Sequence, residues 1–207
     1  MPTVIGIDFD NTIVCCDQLF FDIAREMGIV PESIARTKNA VREHIRAHYS
    51  NDRWTILQSE VYGRRLLEAK PYPGVVEFFI FCRAHAVLTC IISHKSQYPA
   101  AGERCDLHRS ALAWLLENGF FSVNSSGLSP ERVVFAPSRQ QKIRQIQLQE
   151  CAFFIDDLPE VFAEADFPVG TGKILFDPSD TYREWAGGVR AISWDEVRKT
   201  VFHGTGF

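Results

Sequence analysis

The segment VIGIDFDNT, Val4–Thr12, joins a short apolar run to two aspartates and a threonine. Its first part, Val4–Ile7, is continuously apolar rather than alternating with polar residues, which is typical of a strand buried on both faces of a parallel sheet. Polar side chains follow at once, at Asp8, Asp10 and Thr12. Because open parallel sheets bind ligands at the carboxyl ends of their strands, this segment predicts both a fold and the place of a site.

Further apolar runs have the length of short strands, and they lie at Val87–Ile92, Arg132–Phe135, Ala152–Ile155 and Lys173–Phe176. Segments with helical periodicity lie among them, at Val75–Arg83, Arg109–Glu117 and Gln140–Gln149. This alternation of strands and helices predicts the α/β class, with a Rossmann-like parallel sheet that carries helices on both faces.

The segment between the first and second predicted strands is too long for a simple crossover. It contains no convincing strand, and helical patterns run through Leu19–Met27, Glu32–His48 and Trp54–Ala69. We therefore expect a small helical cap domain at residues 15–72, inserted after the first strand. Residues 1–14 and 73–207 are then expected to form the α/β core domain.

Composition excludes several classes of protein. The 207 residues are 46% hydrophobic and 23% charged, which is ordinary for a globular chain. The formal net charge of −4 gives no overall attraction to phosphate backbones, so we expect no nucleic-acid partner. The most apolar stretch, residues 75–93, carries Glu77, Arg83 and His85, and we expect no membrane partner either.

The N-terminal segment has no basic region before its short apolar run, so it does not resemble a signal peptide. The 6 cysteines show no spacing typical of a secreted disulfide framework. These features predict a cytoplasmic protein with reduced thiols, and they leave the oligomeric state open.

Polar residues follow several of the predicted strands, and at the carboxyl edge of a parallel sheet they would converge. Beside the aspartates of the first segment, these residues are Ser93, His94 and Lys95 after the second strand and Asp156 and Asp157 after the fourth. Several carboxylates at one edge repel one another unless a cation neutralises them. Hard oxygen ligands suit Mg²⁺, which takes one or two carboxylates together with phosphate oxygens of a substrate.

These residues resemble the motifs of the haloacid dehalogenase (HAD) superfamily, of the phosphatase and phosphotransferase type. In that family an apolar strand ends in Asp-x-Asp-x-Thr, a second strand ends in Ser or Thr, a Lys or Arg stands at a helix start, and an acidic pair follows a later strand. The matching residues occur in the family's order, and they are Asp8, Asp10 and Thr12, then Ser93, then Lys142, then Asp156 and Asp157.

The resemblance implies a mechanism and a helical C1-type cap. Asp8 is the implied nucleophile and Asp10 the implied general acid and base. Thr12, Ser93 and Lys142 are the implied phosphate-binding residues. The implied cofactor is Mg²⁺, held by Asp8, the backbone carbonyl of Asp10 and an acidic residue of the pair Asp156 and Asp157.

Several alternatives stay open at the level of sequence. Either aspartate of the last motif could be the direct metal ligand, and Asp157 is preferred because the family often has Gly-Asp there. Lys95 and Lys173 compete with Lys142 for the third motif. Lys142 is favoured because it is separated from Asp156 by one short helix and then one strand.

The sequence predicts an enzyme that hydrolyses phosphomonoesters through an aspartyl-phosphate. A cap that covers the site would exclude water and macromolecules, which favours a small phosphorylated metabolite as substrate. A phosphotransferase or mutase, and a catalytically idle binding or regulatory protein of the same fold, are the alternatives.

Overall fold

The computed structural model describes residues 3–203. The chain divides into two compact units. Within the described residues, the first unit comprises residues 3–13, 71–95 and 119–203, and the second comprises residues 14–70 and 96–118. All the candidate site residues that the sequence analysis identified lie in the first unit.

The strands are short and number eight among residues 3–203. They are β1 Val4–Ile7, β2 Val14–Cys15, β3 Lys70–Pro71, β4 Leu88–His94, β5 Val133–Ala136, β6 Phe153–Asp156, β7 Gly172–Phe176 and β8 Val189–Ala191. β2 and β3 form a two-stranded sheet. The other strands form a six-stranded sheet in the order β5-β4-β1-β6-β7-β8, in which every neighbouring pair is parallel.

The helices flank these strands in the chain. They are α1 Asp17–Glu26, α2 Lys38–His48, α3 Asn51–Ser59, α4 Val75–Ala84, α5 Leu107–Glu117, α6 Arg139–Leu148, α7 Pro159–Phe162 and α8 Trp194–His203. A π-helical turn at Glu60–Arg64 follows α3, and 3₁₀ turns lie at Leu66–Glu68 and Pro130–Arg132. The parallel sheet with intervening helices confirms the predicted α/β, Rossmann-like fold class.

The middle of the sheet explains why its strands are continuously apolar. Ile7 of β1 pairs with Ile91 of β4 on one side and with Ile155 of β6 on the other, and all three side chains are fully buried. Such strands lie among apolar neighbours on both faces. The same register aligns the carboxyl ends of β1, β4 and β6, where the strand order reverses.

Gly6 lets β1 lie close to its neighbours. A Cβ atom at this position would lie 2.7 Å from Cδ2 of Phe154 and 2.8 Å from Sγ of Cys151, which is too close for any side chain. Phe154 and Cys151 belong to a buried cluster that also contains Ile143 and Ile146 of α6. This packing fixes the strand that carries the first motif against the helix that carries Lys142.

The second unit is mainly helical, and it contains more of the chain than the predicted insert. Residues 96–118, which the sequence analysis assigned to the core domain, group with it. Their helix α5 is held there by Trp114, which is fully buried and whose Nε1 donates to the carbonyl of Ala69 at 2.9 Å. That residues 15–72 form a separate cap domain stays a prediction.

Two helices of the second unit differ from their predicted bounds. The helix expected over Glu32–His48 begins only at Lys38, because Thr37 caps it: its Oγ1 accepts the backbone N–H of Ala40 at 3.2 Å. The helix expected over Trp54–Ala69 begins at Asn51 and ends at Ser59. The π-helical turn at Glu60–Arg64 and the 3₁₀ turn at Leu66–Glu68 replace its second half.

Candidate active site at the carboxyl edge of the sheet

Asp8 lies where β1 leaves the sheet. Its backbone N–H donates to the carbonyl of Ile155 at 2.9 Å, which holds Asp8 level with the end of β6. The chain then turns sharply, because the N–H of Ile13 donates back to the carbonyl of Phe9 at 3.0 Å and Asn11 adopts a φ of 61°. Asparagine tolerates this left-handed conformation better than most residues do. Asp8 itself is 5% exposed, so its carboxylate needs compensating charge.

Lys142 supplies that charge. It lies in the first turn of α6, whose N-terminus is capped by Ser138 through the N–H of Gln141 at 3.2 Å. The side chain is 2% exposed, and Nζ lies 2.6 Å from Oδ1 of Asp8 and 2.6 Å from Oδ2 of Asp156. Lys142 therefore bridges the first and last motifs.

The charge of Lys142 is maintained by its partners. Burial disfavours the ammonium form, but the charges of Asp156 and Asp8 and their hydrogen bonds outweigh burial, so the pKa of Lys142 lies above its ordinary value. Lys142 is consequently a permanent cation at neutral pH. A cation fixed between two carboxylates is also positioned to attract a phosphate group.

Three carboxylates form a cluster at this edge. Oxygens of Asp8, Asp156 and Asp157 all lie within 4.8 Å of one another. Asp156 is fully buried, and its burial, opposed by Lys142 and reinforced by the charge of Asp8, raises its pKa to about 6. Its two oxygens are engaged by Lys142 and by the N–H of Leu158 at 3.0 Å, whereas Asp157 is only half-buried.

The donor set of this cluster fits Mg²⁺. The ion prefers hard oxygen ligands and usually takes one or two carboxylates. Asp8 and Asp157 can supply these carboxylates, and a divalent cation would offset the negative charge that Lys142 alone does not neutralise. Asp10 is the other proposed ligand, and it would contribute its backbone carbonyl oxygen rather than its carboxylate.

Two hydroxyl groups at the same edge are buried without an internal partner. Oγ1 of Thr12 and Oγ of Ser93 have no hydrogen-bond partner among residues 3–203, although the two residues are 0% and 1% exposed. Buried hydroxyls are nearly always hydrogen-bonded in folded proteins. Ser93 lies two positions beyond Ile91, the partner of Ile7 across the sheet, so it lies one residue before the end of β4 and beside the end of β1. These hydroxyls are therefore suited to oxygens that a ligand brings.

Asp10 has a lysine partner, Lys95, which the sequence places after the second strand beside Ser93 and also leaves as a competitor of Lys142. Nζ of Lys95 lies 2.7 Å from Oδ2 of Asp10 and 3.0 Å from Oδ1. The Lys95 side chain is 3% exposed and that of Asp10 is 15% exposed. One signal could have indicated this role: Lys95 follows Ser93 by two residues, and residues two apart in an extended chain face the same side.

The structure thus separates the three lysines that the sequence left as candidates for the third motif. Lys142 contacts Asp8 and Asp156, and Lys95 contacts Asp10. Lys173 lies elsewhere, with Nζ donating to the carbonyl of Phe162 at 2.7 Å. His94, the residue between Ser93 and Lys95, ends β4 with an exposed side chain.

The fold is that of the HAD-superfamily hydrolases. A HAD hydrolase of family IA, variant 3, from Entamoeba histolytica HM-1:IMSS has a TM-score of 0.61 and 14% identity, over 95% of this chain and 95% of that chain. A HAD family hydrolase from Deinococcus radiodurans R1, with bound phosphate and sodium, has a TM-score of 0.59 and 14% identity, over 97% and 95% of the two chains.

A predicted phosphoglycolate phosphatase from Haemophilus somnus 129pt has a TM-score of 0.56 and 13% identity, over 97% of this chain and 98% of that chain. At these identities the likeness establishes the fold, and it confirms the predicted resemblance at that level. No protein-family model and no curated protein matches the sequence. In the part of the chain that the structure describes, no helix has the length and apolar character needed to cross a membrane.

Proposed function

We propose that the protein is a Mg²⁺-dependent phosphomonoester hydrolase that acts through an aspartyl-phosphate on Asp8. The observation that carries the proposal is one sheet edge that holds a carboxylate cluster, a buried ammonium group bonded to two of its members, and two buried hydroxyls without internal partners. These groups correspond to a nucleophile, a positive charge that compensates it, and hydrogen-bond donors for phosphoryl oxygens. The solved HAD hydrolase with bound phosphate supports this assignment through its shared fold.

In the first step an oxygen of Asp8 attacks the phosphorus atom of the ester, and the bond between phosphorus and the leaving oxygen breaks. Asp10, in its protonated form, gives its proton to that oxygen, so the alcohol leaves uncharged. Asp10 follows Asp8 by two residues in the loop that leaves β1, which is why one segment supplies both groups.

In the second step a water molecule attacks the phosphorus atom of the aspartyl-phosphate. Asp10, now a carboxylate, takes the proton of that water, and the bond between phosphorus and Asp8 breaks. Inorganic phosphate is released and both aspartates return to their starting forms. Division into two steps lets one residue act first as an acid and then as a base.

Lys142, Ser93 and Thr12 would hold the phosphoryl oxygens during both steps. Lys142 offers a buried positive charge, and the hydroxyls of Ser93 and Thr12 offer donors that no described residue uses. Fixed donors at the place where charge develops are an effective source of catalysis. Asp8, with Asp157 or Asp156, would hold Mg²⁺, and the bound ion would neutralise the charge of the phosphate toward the attacking carboxylate.

Phosphate release from p-nitrophenyl phosphate is the experiment that tests the proposal. We expect turnover with Mg²⁺, none with chelator, and a loss of at least about a thousandfold in Asp8→Asn, because the amide cannot attack phosphorus. Asp195→Asn, on the exposed surface of α8, is the matched control and should retain wild-type turnover. Activity that survives in Asp8→Asn would contradict the mechanism.

The same assay separates the alternative activities. A phosphotransferase or mutase consumes substrate without releasing an equal amount of phosphate, whereas a hydrolase releases one phosphate for each ester. A binding protein shows no turnover with any ester. A small phosphorylated molecule remains the predicted partner. That the protein has no nucleic-acid or membrane partner, and that it is cytoplasmic, also remain predictions from the sequence.

A further inference from the structure

A second concave site lies at the amino ends of β4 and β5, on the edge of the sheet opposite to the candidate active site. It is a cavity of about 100 Å³ within the first unit. Its walls come from the last turn of α4, the start of β4 and the segment that leads into β5, and they include Arg83, Thr89, Ser126, Ser129 and Arg132. Pockets for drug-sized ligands have about 300–1,000 Å³, so this cavity has room only for a small ion or group.

The walls of this cavity carry positive charge. Arg83 and Arg132 line it, and no acidic residue of the described chain does. Arg132 directly precedes β5 and is half-buried, yet it forms no ion pair with a carboxylate within residues 3–203. Charged side chains that lose contact with water are usually paired. The cavity is therefore suited to an anion.

Arg83 is held in place by contacts that leave most of its donors unused. Its Nη1 donates to the carbonyls of Val123 and Ser125, the latter at 3.1 Å. Its aliphatic part lies against Gly127, where a Cβ atom would be 2.9 Å from Cδ of Arg83. A guanidinium group has five N–H donors in a fixed plane, so those of Nε and Nη2 remain for a ligand.

Thr89 adds a buried hydroxyl group to the cavity. The residue is only 9% exposed, and its side chain makes no hydrogen bond to the part of the chain that the structure describes. The serines beside it differ, because the hydroxyl of Ser126 donates to the carbonyl of Phe120 and that of Ser129 to the carboxylate of Glu131. Buried hydroxyls are nearly always hydrogen-bonded, so the one on Thr89 points to a partner that a ligand supplies.

We infer that this cavity binds a small tetrahedral oxyanion, and that inorganic phosphate is its ligand. The planar fork of an arginine matches two oxygens of such an ion, and two arginines with one hydroxyl suit its several acceptor oxygens. The site is distinct from the candidate active site, since Thr89 and Ser93 lie four residues apart on β4, which corresponds to about 13 Å along an extended strand. The inference does not depend on the proposed reaction.

Calorimetric titration of the full chain with inorganic phosphate tests the inference. The titration is run with chelator and at constant ionic strength, because the carboxylate cluster without a metal ion does not favour phosphate at the other edge. We expect binding of one phosphate per chain that sulfate displaces and that chloride at equal ionic strength does not. Methyl phosphate tests the source of the ion: weaker binding indicates free phosphate, and equal binding shows that the phosphate of a larger molecule also enters the site.

Three variants locate the bound ion. Arg132→Met removes the charge and should weaken binding by about tenfold or more, because charged hydrogen bonds are the strong ones. Thr89→Val keeps the shape and removes the hydroxyl, and it should weaken binding by about threefold or more. Arg144→Met, at an exposed arginine of α6, is the matched control and should bind as the wild type does. Arg132→Gln replaces Arg132→Met if the latter does not fold.

The outcomes separate this inference from the proposed function. Absence of phosphate binding, displacement by chloride, or binding that survives in Arg132→Met overturns the inference. Phosphate that is lost in Ser93→Ala but kept in Arg132→Met lies at the candidate active site, which also overturns the inference while it supports the proposed function. Binding that Arg132→Met and Thr89→Val weaken, and that Ser93→Ala and Arg144→Met leave unchanged, supports the second site, whether or not the protein hydrolyses any ester.

Discussion

The two compact units bury different kinds of side chain. Among the described residues, the first unit buries charged groups at Asp8, Lys95, Lys142, Asp156 and Asp177. The described part of the second unit buries no charged residue, and Ser59 is its only buried polar residue. Its ion pairs lie nearer the surface, as in Arg65, which is 27% exposed and contacts Glu26 and Glu68.

This difference indicates where the proposed active site lies. Burying a charge is costly, so a buried charge is retained only where an opposite charge or hydrogen bonds compensate it. Buried charge alone does not define a site, however. Asp177 accepts the N–H groups of Thr181 and Tyr182 and a bond from Arg190 at 3.1 Å, so it orders its own loop. What distinguishes the edge of β1 is the concentration of like charges around shared lysines.

Among the variants that compare the two units, Lys142→Met is expected to lower the unfolding free energy most. The variant leaves Asp8 and Asp156 buried without their common ammonium partner, which should cost about 3–5 kcal/mol of unfolding free energy in the metal-free protein. Arg65→Met in the second unit removes two partly exposed ion pairs, with Glu26 and Glu68, and should cost about 1 kcal/mol or less.

Urea denaturation with chelator measures both variants. Mg²⁺ should recover part of the loss in Lys142→Met, because the ion can compensate the same carboxylates, and it should have no specific effect on the loss in Arg65→Met. Equal losses in the two variants would show that the buried charges of the first unit do not depend on Lys142.

Fold and site were predictable to different extents, and for physical reasons. The central strands were found because burial on both faces makes them continuously apolar, as at Val4–Ile7. β8, Val189–Ala191, has only three residues and begins with an exposed valine, so it carries no such pattern. In the second unit, Gly63 lies in the π-helical turn against Cys105, a packing relation between distant segments that no local pattern reveals.

The site residues were predictable where chain order alone brings them to the edge of the sheet. Asp8 and Asp156 end neighbouring strands, so their proximity follows from the parallel fold. The pairing of Lys95 with Asp10 joins residues 85 positions apart, and it depends on where each side chain lies beyond its strand. The unpartnered hydroxyls of Thr12 and Ser93 were likewise visible only once the packing around them was known.

Asp156→Asn and Asp157→Asn test which of the two neighbouring aspartates in the first unit binds the metal. Both oxygens of Asp156 already accept hydrogen bonds from the protein, from Lys142 and from Leu158, so we expect Asp157 to be the more important metal ligand. Asp157→Asn should weaken Mg²⁺ binding by about tenfold to a hundredfold, and Asp156→Asn should weaken it less. Calorimetric titration with Mg²⁺ measures both, and the opposite order would assign direct ligation to Asp156.

The smallest expected effect is a difference in the pH dependence of stability between the two units. Burial raises the pKa of Asp156 to about 6, so protonation favours the metal-free folded state. Its contribution is fully present below the unfolded pKa of about 3.9 and is lost as the pH rises through about 6. Glu68 has the opposite sign, because its hydrogen bond with Arg65 lowers its pKa.

The contribution of Glu68 is present above its unfolded pKa and is lost as the pH falls through its lowered folded pKa, and it is small because 51% of the side chain is exposed. Urea midpoints between pH 4 and 8, with chelator, should therefore fall less steeply with rising pH in Asp156→Asn than in the wild type. Glu68→Gln should differ from the wild type only at the acid end. Since metal ligands must be deprotonated, stabilisation by Mg²⁺ should grow over the range in which Asp156 loses its proton. Parallel profiles for the wild type and Asp156→Asn would show that burial of this carboxyl group does not set the pH dependence of the first unit.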